Sequence, residues 1–210
     1  MKYLLASMLL AIAGCQDTEH PVISYVWLDR EVVSLLQNAP VEADKIRPRL
    51  HFEDGAYADS CKSYWSNKAG VSETAANFTV RSEYLVCDAI KLHQRWPAAP
   101  QGVDHGKDFS LCNRLDLTSF SNSLQPRLGG EAKVLREVFQ SGVIDSGTEC
   151  VYEGEGRKFA LSAILEIEER GRPKKLWVWV VDEITDTTYR AYFPVWFEFD
   201  PVSATWIAAK

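Results

Sequence analysis

Leu176-Trp177-Val178-Trp179-Val180-Val181 is the stretch that decides the fold class of this 210-residue chain. A strand built from it is apolar on both faces, which calls for a place inside a sheet with material packed on either side. Just upstream, Phe159, Leu161, Ala163, Leu165 and Ile167 alternate with Ser162, Glu166 and Glu168, so the apolar set is expected on one side of a second strand. Arg170-Gly171-Arg172-Pro173 supplies the turn between the two, and Gly154-Glu155-Gly156 marks an earlier turn between strands. Downstream, Asp182 to Asp186 turns the chain again, and Tyr189, Ala191, Phe193, Val195, Phe197 and Phe199 resume the alternation. Pro194 interrupts that run without a donor for the ladder, so it asks for an edge or a bulge. Asp200-Pro201 leads into a last strand around Thr205-Trp206-Ile207.

Before Glu149 the period is helical. Leu28, Val32, Leu35 and Leu36 share one face of a helix expected over 25–37, which Asn38-Ala39-Pro40 should end. Residues 40–80 hold no period for long and are expected to be loops with short elements. Leu85, Ala89, Leu92 and Trp96 define a stronger helix over 81–96 that carries Cys87 and stops at Pro97. A turn-rich connection follows over 97–106, and residues 111–124 read as helix or strand. A short helix is expected over 131–140, with Val134, Leu135, Val138 and Phe139 on one face and Gly142 beyond its end. N-terminal helices followed by a C-terminal four-stranded antiparallel meander make an α+β domain.

Seven Trp, eight Tyr and nine Phe within a 46% hydrophobic composition require a buried core. The formal charge of −6 argues against nucleic acid, whose binding rests on neutralising phosphates with Lys and Arg. It argues equally against a peripheral grip on anionic lipid headgroups and is compatible with a basic protein partner.

The chain starts Met1-Lys2-Tyr3-Leu4-Leu5-Ala6-Ser7-Met8-Leu9-Leu10-Ala11-Ile12-Ala13-Gly14-Cys15: one cation, a short apolar run, then small residues ending in cysteine. The run from Leu4 to Ala13 is too short for a bilayer core, which takes ~20 residues, and fits a secretory h-region of ~7–15. Ile12-Ala13-Gly14-Cys15 resembles the lipobox of bacterial lipoproteins, although Ile12 stands where that family usually has Leu. The resemblance implies a signal peptide over 1–14, cleavage before Cys15, and lipidation of that thiol by acyl chains such as palmitate. Gln16 in place of an Asp after the lipidated cysteine implies, on the family's sorting rule, an outer-membrane anchor facing the periplasm. Residues 15–21 are then the lipidated Cys and a short polar tether, and 22–210 a single domain held close to its membrane. Losing Lys2 with the signal peptide takes the charge from −6 to −7.

Cys61, Cys87, Cys112 and Cys150 remain. An even number in an oxidising compartment reads as disulfides. Four cysteines allow three pairings, and the sequence leaves all three open. No two of them have the close spacing of a zinc knuckle. The order of elements and the terminal turn-Thr-Trp-Ile strand are similar to the curved-sheet cone of the nuclear-transport-factor-2-like superfamily; the resemblance covers only the last ~60 residues and has no specific motif.

The chain contains no nucleophile elbow, no zinc-protease helix, no phosphate-binding loop and no dinucleotide fingerprint, and nothing in it calls for a cofactor. Among the histidines, His20 lies in the tether and His93 is expected exposed on its helix. His51 precedes Phe52-Glu53-Asp54 and could pair with a carboxylate, and His105, between Asp104 and Asp108, could be oriented for base work or metal binding. The polar segment 112–127 is expected to be a capped helix start and tight turn anchored by Cys112, or else a binding surface using Arg114, Asp116, Asn122 and Arg127. Trp177, Trp179 and Trp196 are core by default and a recognition surface if their sheet face is open. Asn77-Phe78-Thr79 fits a glycosylation sequon.

A small, acidic, tethered domain without a catalytic motif is similar in kind to periplasmic inhibitor and immunity lipoproteins. The expected function is therefore a binding module that occludes a toxin or hydrolase acting in the periplasm, often a basic secreted protein. The alternatives are an accessory lipoprotein of an envelope-assembly machine, and a periplasmic enzyme using His105 or His51.

Overall fold

Ile23-Ser24-Tyr25-Val26-Trp27 is a β-strand, β1, where the helical period suggested the start of a helix. β-branched and aromatic residues suit a pleated strand, and β1 has a partner far along the chain to pair with. The helix, α1 (Arg30–Gln37), starts only where Asp29 caps it, its carboxylate accepting from the Val32 N–H at 2.9 Å. The computed structural model describes residues 23–95, 110–119, 134–139, 141–187 and 189–209. α1 ends at Gln37 with Asn38 as its C-cap, where its end was expected, but Pro40 begins a further helix rather than a loop. The proline sits in the first turn of α2 (Ala39–Asp44), where its missing N–H costs nothing.

Two short strands, β2 (Leu50–His51) and β3 (Tyr57–Ala58), pair with each other. Three helices follow: α3 (Cys61–Ser66), α4 (Ala75–Val80) and α5 (Ser82–Arg95), the last matching the helix expected over 81–96. After α6 (Leu111–Arg114), a 3-10 turn (Leu117–Ser119) and α7 (Leu135–Val138), the chain is all strand. These strands are β4 (Val143–Asp145), β5 (Glu149–Gly154), β6 (Arg157–Glu169), β7 (Lys175–Ile184), β8 (Arg190–Asp200) and β9 (Thr205–Ala208).

They form a curled antiparallel sheet in the order β4-β5-β6-β7-β8-β9, with β1 also on β6. The expected four-stranded meander is β6 to β9. The sheet is larger because β4 and β5 extend it through the turn at Glu155 and Gly156, both at positive φ (52° and 72°), and because β1 joins from the other end of the chain. β5 and β1 share one edge of β6, β5 against Arg157–Ser162 and β1 against Leu165–Glu169. Pro194 lies on β8 beyond the reach of β9, which pairs only with Phe197–Asp200, so the proline occupies an edge.

The alternation in β6 does not keep to one face. Its register against β7 shifts between Ala163 and Leu165, leaving Ile164 as a β-bulge. Phe159, Leu161 and Ala163 therefore enter one hydrophobic cluster, whereas Ile164, Leu165 and Ile167 enter another on the opposite face. β7 is the covered strand that its sequence requires. Leu176, Val178 and Val180 belong to the first cluster, and Trp177 with Trp179 to the second. Helices α1, α2, α3 and α5 contribute to the second cluster, and α6, α7 and the 3-10 turn to the first.

Each face carries one disulfide. Cys61–Cys87 joins α3 to α5, and Cys112–Cys150 joins α6 to β5, all four cysteines being fully buried. The second bridge belongs to a strap. Ser110 Oγ donates to Asp145 on β4 (2.5 Å), Cys112 is bonded to β5, Leu115 pairs with Trp206 on β9, and Ser119 Oγ accepts from the Ala208 N–H (2.8 Å). Cys112 and Leu115 stand one helical turn apart, ~5 Å along its axis. Four strand spacings of ~4.8 Å separate β5 from β9 in a flat sheet. The strap can reach both only because the sheet is curled.

Candidate functional site

An open cleft of about 500 Å³ lies between α3, α4, α5 and the start of β8. Phe52, Tyr64, Trp65, Phe78 and Tyr192 give it an aromatic lining, and Arg81, Asp88, Lys91, Arg190 and Glu73 bring charge to it. Its walls are fixed locally. Ser60 caps α3 in a reciprocal box with Ser63, and Thr74 caps α4 by accepting from the Asn77 N–H at 3.2 Å. The Trp65 indole donates to the Cys87 carbonyl (3.0 Å), which ties the aromatic wall to the disulfide between α3 and α5. Asn77 is buried. Its amide accepts from the His51 N–H (2.9 Å) and donates to the carbonyls of His51 and Ser72 (2.7 Å each), so it clamps β2 to α4 and its sequon has no accessible nitrogen.

Tyr64 and Asp88 face each other in the cleft wall. Burial is the main cause that raises the Asp88 carboxyl above its ordinary range, against the opposing pull of Arg81, the Tyr64 hydroxyl and Lys91. Burial, followed by the charge of Asp88, also raises the Tyr64 phenol. On the opposite wall the Tyr192 hydroxyl donates to Glu183 on β7, which orients the ring. Arg81, Asp88 and Lys91 follow one another at i, i+7 and i+10, a single stripe of α5 and its first-turn neighbour. That spacing, with Tyr64-Trp65 and Phe78 nearby, is the signal that could have pointed to the cleft from the sequence. Arg190, from a strand a hundred residues away, could not have been joined to it by spacing.

Those of the residues singled out in the sequence that are described do not assemble here. His51 projects from β2 into solvent with its ring 6.4 Å from that of Tyr57, and the neighbouring Asp54 carboxylate is engaged by the Ala56 N–H (3.0 Å). Arg114 is exposed at the end of α6. Asp116 is a turn residue, accepting from the Thr118 N–H (2.9 Å) and hydroxyl (2.6 Å). This is the tight turn expected beside Cys112, although Ser110 makes no side-chain cap at the start of α6 and residues 120–127 of the segment lie outside the described residues. Trp177 is buried, and Trp179 and Trp196 are half-buried, in one aromatic group with ring centroids 5.8 and 6.2 Å from that of Trp177. Helices cover that face, which makes the three Trp part of the core. His93 is not exposed as expected. It packs edge-on to Trp27 at 6.0 Å, its Nδ1 is buried with no partner among the described residues, and burial lowers its pKa. Cys15, His105, Asn122 and Arg127 lie outside the described residues.

One buried polar group carries no sequence signal. Arg157 Nη2 donates to Asp182 Oδ1 at 2.7 Å, and the Tyr189 hydroxyl to Asp182 Oδ2 at 3.4 Å, on the sheet face shared with Phe159 and Val180. Among the described residues no group of three or more His, Cys, Asp or Glu side chains is placed to hold a metal ion, and no helix is long and apolar enough to cross a membrane. The chain matches no protein-family model, no curated protein sequence and no solved structure.

Proposed function

We propose that this protein is a lipid-anchored periplasmic binding module, held at the outer membrane through Cys15, that inhibits a toxin or hydrolase acting in the periplasm. The observation that supports a binding role is the aromatic cleft between α3, α4, α5 and β8. Aromatic and Arg side chains in a preformed recess are the groups that dominate binding hot spots. The Cys61–Cys87 bridge and the Asn77 clamp hold the walls before a partner arrives, so little ordering entropy opposes docking. Net acidity outside the cleft suits a basic partner and speeds its encounter.

The test is affinity capture by the full-length lipoprotein, embedded in nanodiscs, from secreted protein and from periplasm. The expected result is one hydrolase, retained in a salt-sensitive way and inhibited on binding, whose capture is lost in F78A/Y192A. Recovery of envelope-assembly components alone would replace inhibition with the accessory role. Capture unaffected by the cleft substitutions would overturn the assignment of the site.

A further inference from the structure

We infer that the cleft is a receptor for an anionic group, carboxylate or phosphate, carried on an apolar or aromatic body. This rests on reading the cleft as a binding site, but not on the partner being a hydrolase. The first ground is local charge. The chain has 23 Lys and Arg against 29 Asp and Glu, yet the cleft is lined by three cations, Arg81, Lys91 and Arg190, against two carboxylates, Glu73 and Asp88. Within the cleft the balance is reversed.

The second ground is that, among the described residues, these cations are in no ion pair outside the cleft. Several cations elsewhere are paired: Lys45 and the buried Arg47 reach Glu42, Lys62 reaches Asp44, Lys174 reaches Glu166 and Glu168, and Lys175 reaches Glu198, all within 4.0 Å. Arg81, Lys91 and Arg190 make no such pair among the described residues. Glu183 stands directly across from Arg190 in the β7–β8 register but accepts from the Tyr192 hydroxyl. Arg81 and Lys91 act on the half-buried Asp88 without forming an ion pair with it, so among the described residues three cations without a contact carboxylate surround one recess and are placed for a charge that arrives from outside.

The third ground is the fit of the remaining surface. Two guanidinium forks, from opposite walls, suit the planar oxygens of a carboxylate or phosphate. The rings of Phe52, Trp65, Phe78 and Tyr192 offer faces and edges to an attached ring. A volume of about 500 Å³ is that of a small-molecule site, or of a single large group inserted by a partner.

The probes are 1-naphthyl phosphate, 1-naphthylacetate and the neutral 2-(1-naphthyl)ethanol, titrated calorimetrically into the full-length lipoprotein in nanodiscs, with empty nanodiscs as reference. At least one anion should bind ~10-fold or more tighter than the alcohol, a gap that shrinks with salt. R81Q/R190Q should remove that preference, while K62Q, whose lysine pairs outside the cleft, should keep it. Urea midpoints of the variants show that each is folded. Equal affinity for all three probes, no binding of either anion, or a preference that survives R81Q/R190Q would overturn the inference. Competition separates the inference from the functional reading on which it rests. An anion that binds but does not displace a captured partner leaves the inference standing and removes the cleft from the partner interface. Displacement by all three probes alike supports the partner site and sinks the anion preference.

Discussion

Opening the two disulfides should test the packing of both sheet faces, and its magnitude can be worked from chain separation. Cys61–Cys87 closes a segment of 26 residues and Cys112–Cys150 one of 38. Loop-closure entropy for such segments gives about 3.5 and about 4 kcal/mol of stabilisation at 25 °C. Together that is about 7.5 kcal/mol, comparable with the whole stability of a domain, ~5–15 kcal/mol. The C61A/C87A and C112A/C150A variants should each lose roughly 3–4 kcal/mol, and the fourfold variant should be at or past the edge of unfolding. The assay is urea denaturation followed by Trp fluorescence and far-UV circular dichroism. Free energies must be compared rather than midpoints, because a less constrained unfolded chain also raises the urea slope. The C112A/C150A variant should further release the strap from β9 and change the environment of Trp206, which Leu115 and Asp116 contact. A loss below ~1 kcal/mol for either pair would refute the reasoning that the bridges close otherwise free loops.

Asp182→Asn or Arg157→Met should cost about 3–5 kcal/mol in the same assay, because each strands a buried charge, whereas the joint replacement should cost much less. His93 makes stability fall with acid. Its folded pKa lies below the ordinary value of about 6.5, so the native state holds fewer protons than the unfolded state in that window. Stability is then full above 6.5 and is lost as pH falls to the folded value; H93F should flatten that part of the profile measured by thermal unfolding. Asp88 acts in the opposite sense at lower pH, since its raised folded pKa favours the native state on protonation. Cys15→Ser should leave an uncleaved or mislocalised precursor in membrane fractionation, and normal maturation would contradict the lipoprotein reading.

The α+β class was legible because β7 is apolar on both faces, a pattern that only a covered strand satisfies. The turn at Glu155-Gly156 and the helix carrying Cys87 were legible for equally local reasons. The bulge was not. In β6 both faces are apolar around Ile164, so a one-residue insertion leaves the alternation apparently intact while moving Leu165 and Ile167 across the sheet. β1 was hidden because Leu28, buried just before the cap, extends the helical period of α1 backwards. Its strand state depends on β6, some 140 residues away. The candidate site was illegible for the same reason. Its aromatic and cationic residues come from three helices, the turn after β2, the junction of α4 and α5 and a distant strand, whereas Asp116 and the three Trp, which stand out in the sequence, hold a turn and the core.

The central claim, that the cleft is where this protein meets its partner, is tested most directly by site-specific photo-crosslinking in living cells. Benzoylphenylalanine replaces Phe78 in the cleft and, in a separate strain, Val202, which is exposed on the turn between β8 and β9. The account predicts one discrete adduct from position 78, abolished by R81Q/R190Q, and none from position 202. An adduct from position 202 alone, or none from position 78 in cells exposed to the captured hydrolase, would contradict it.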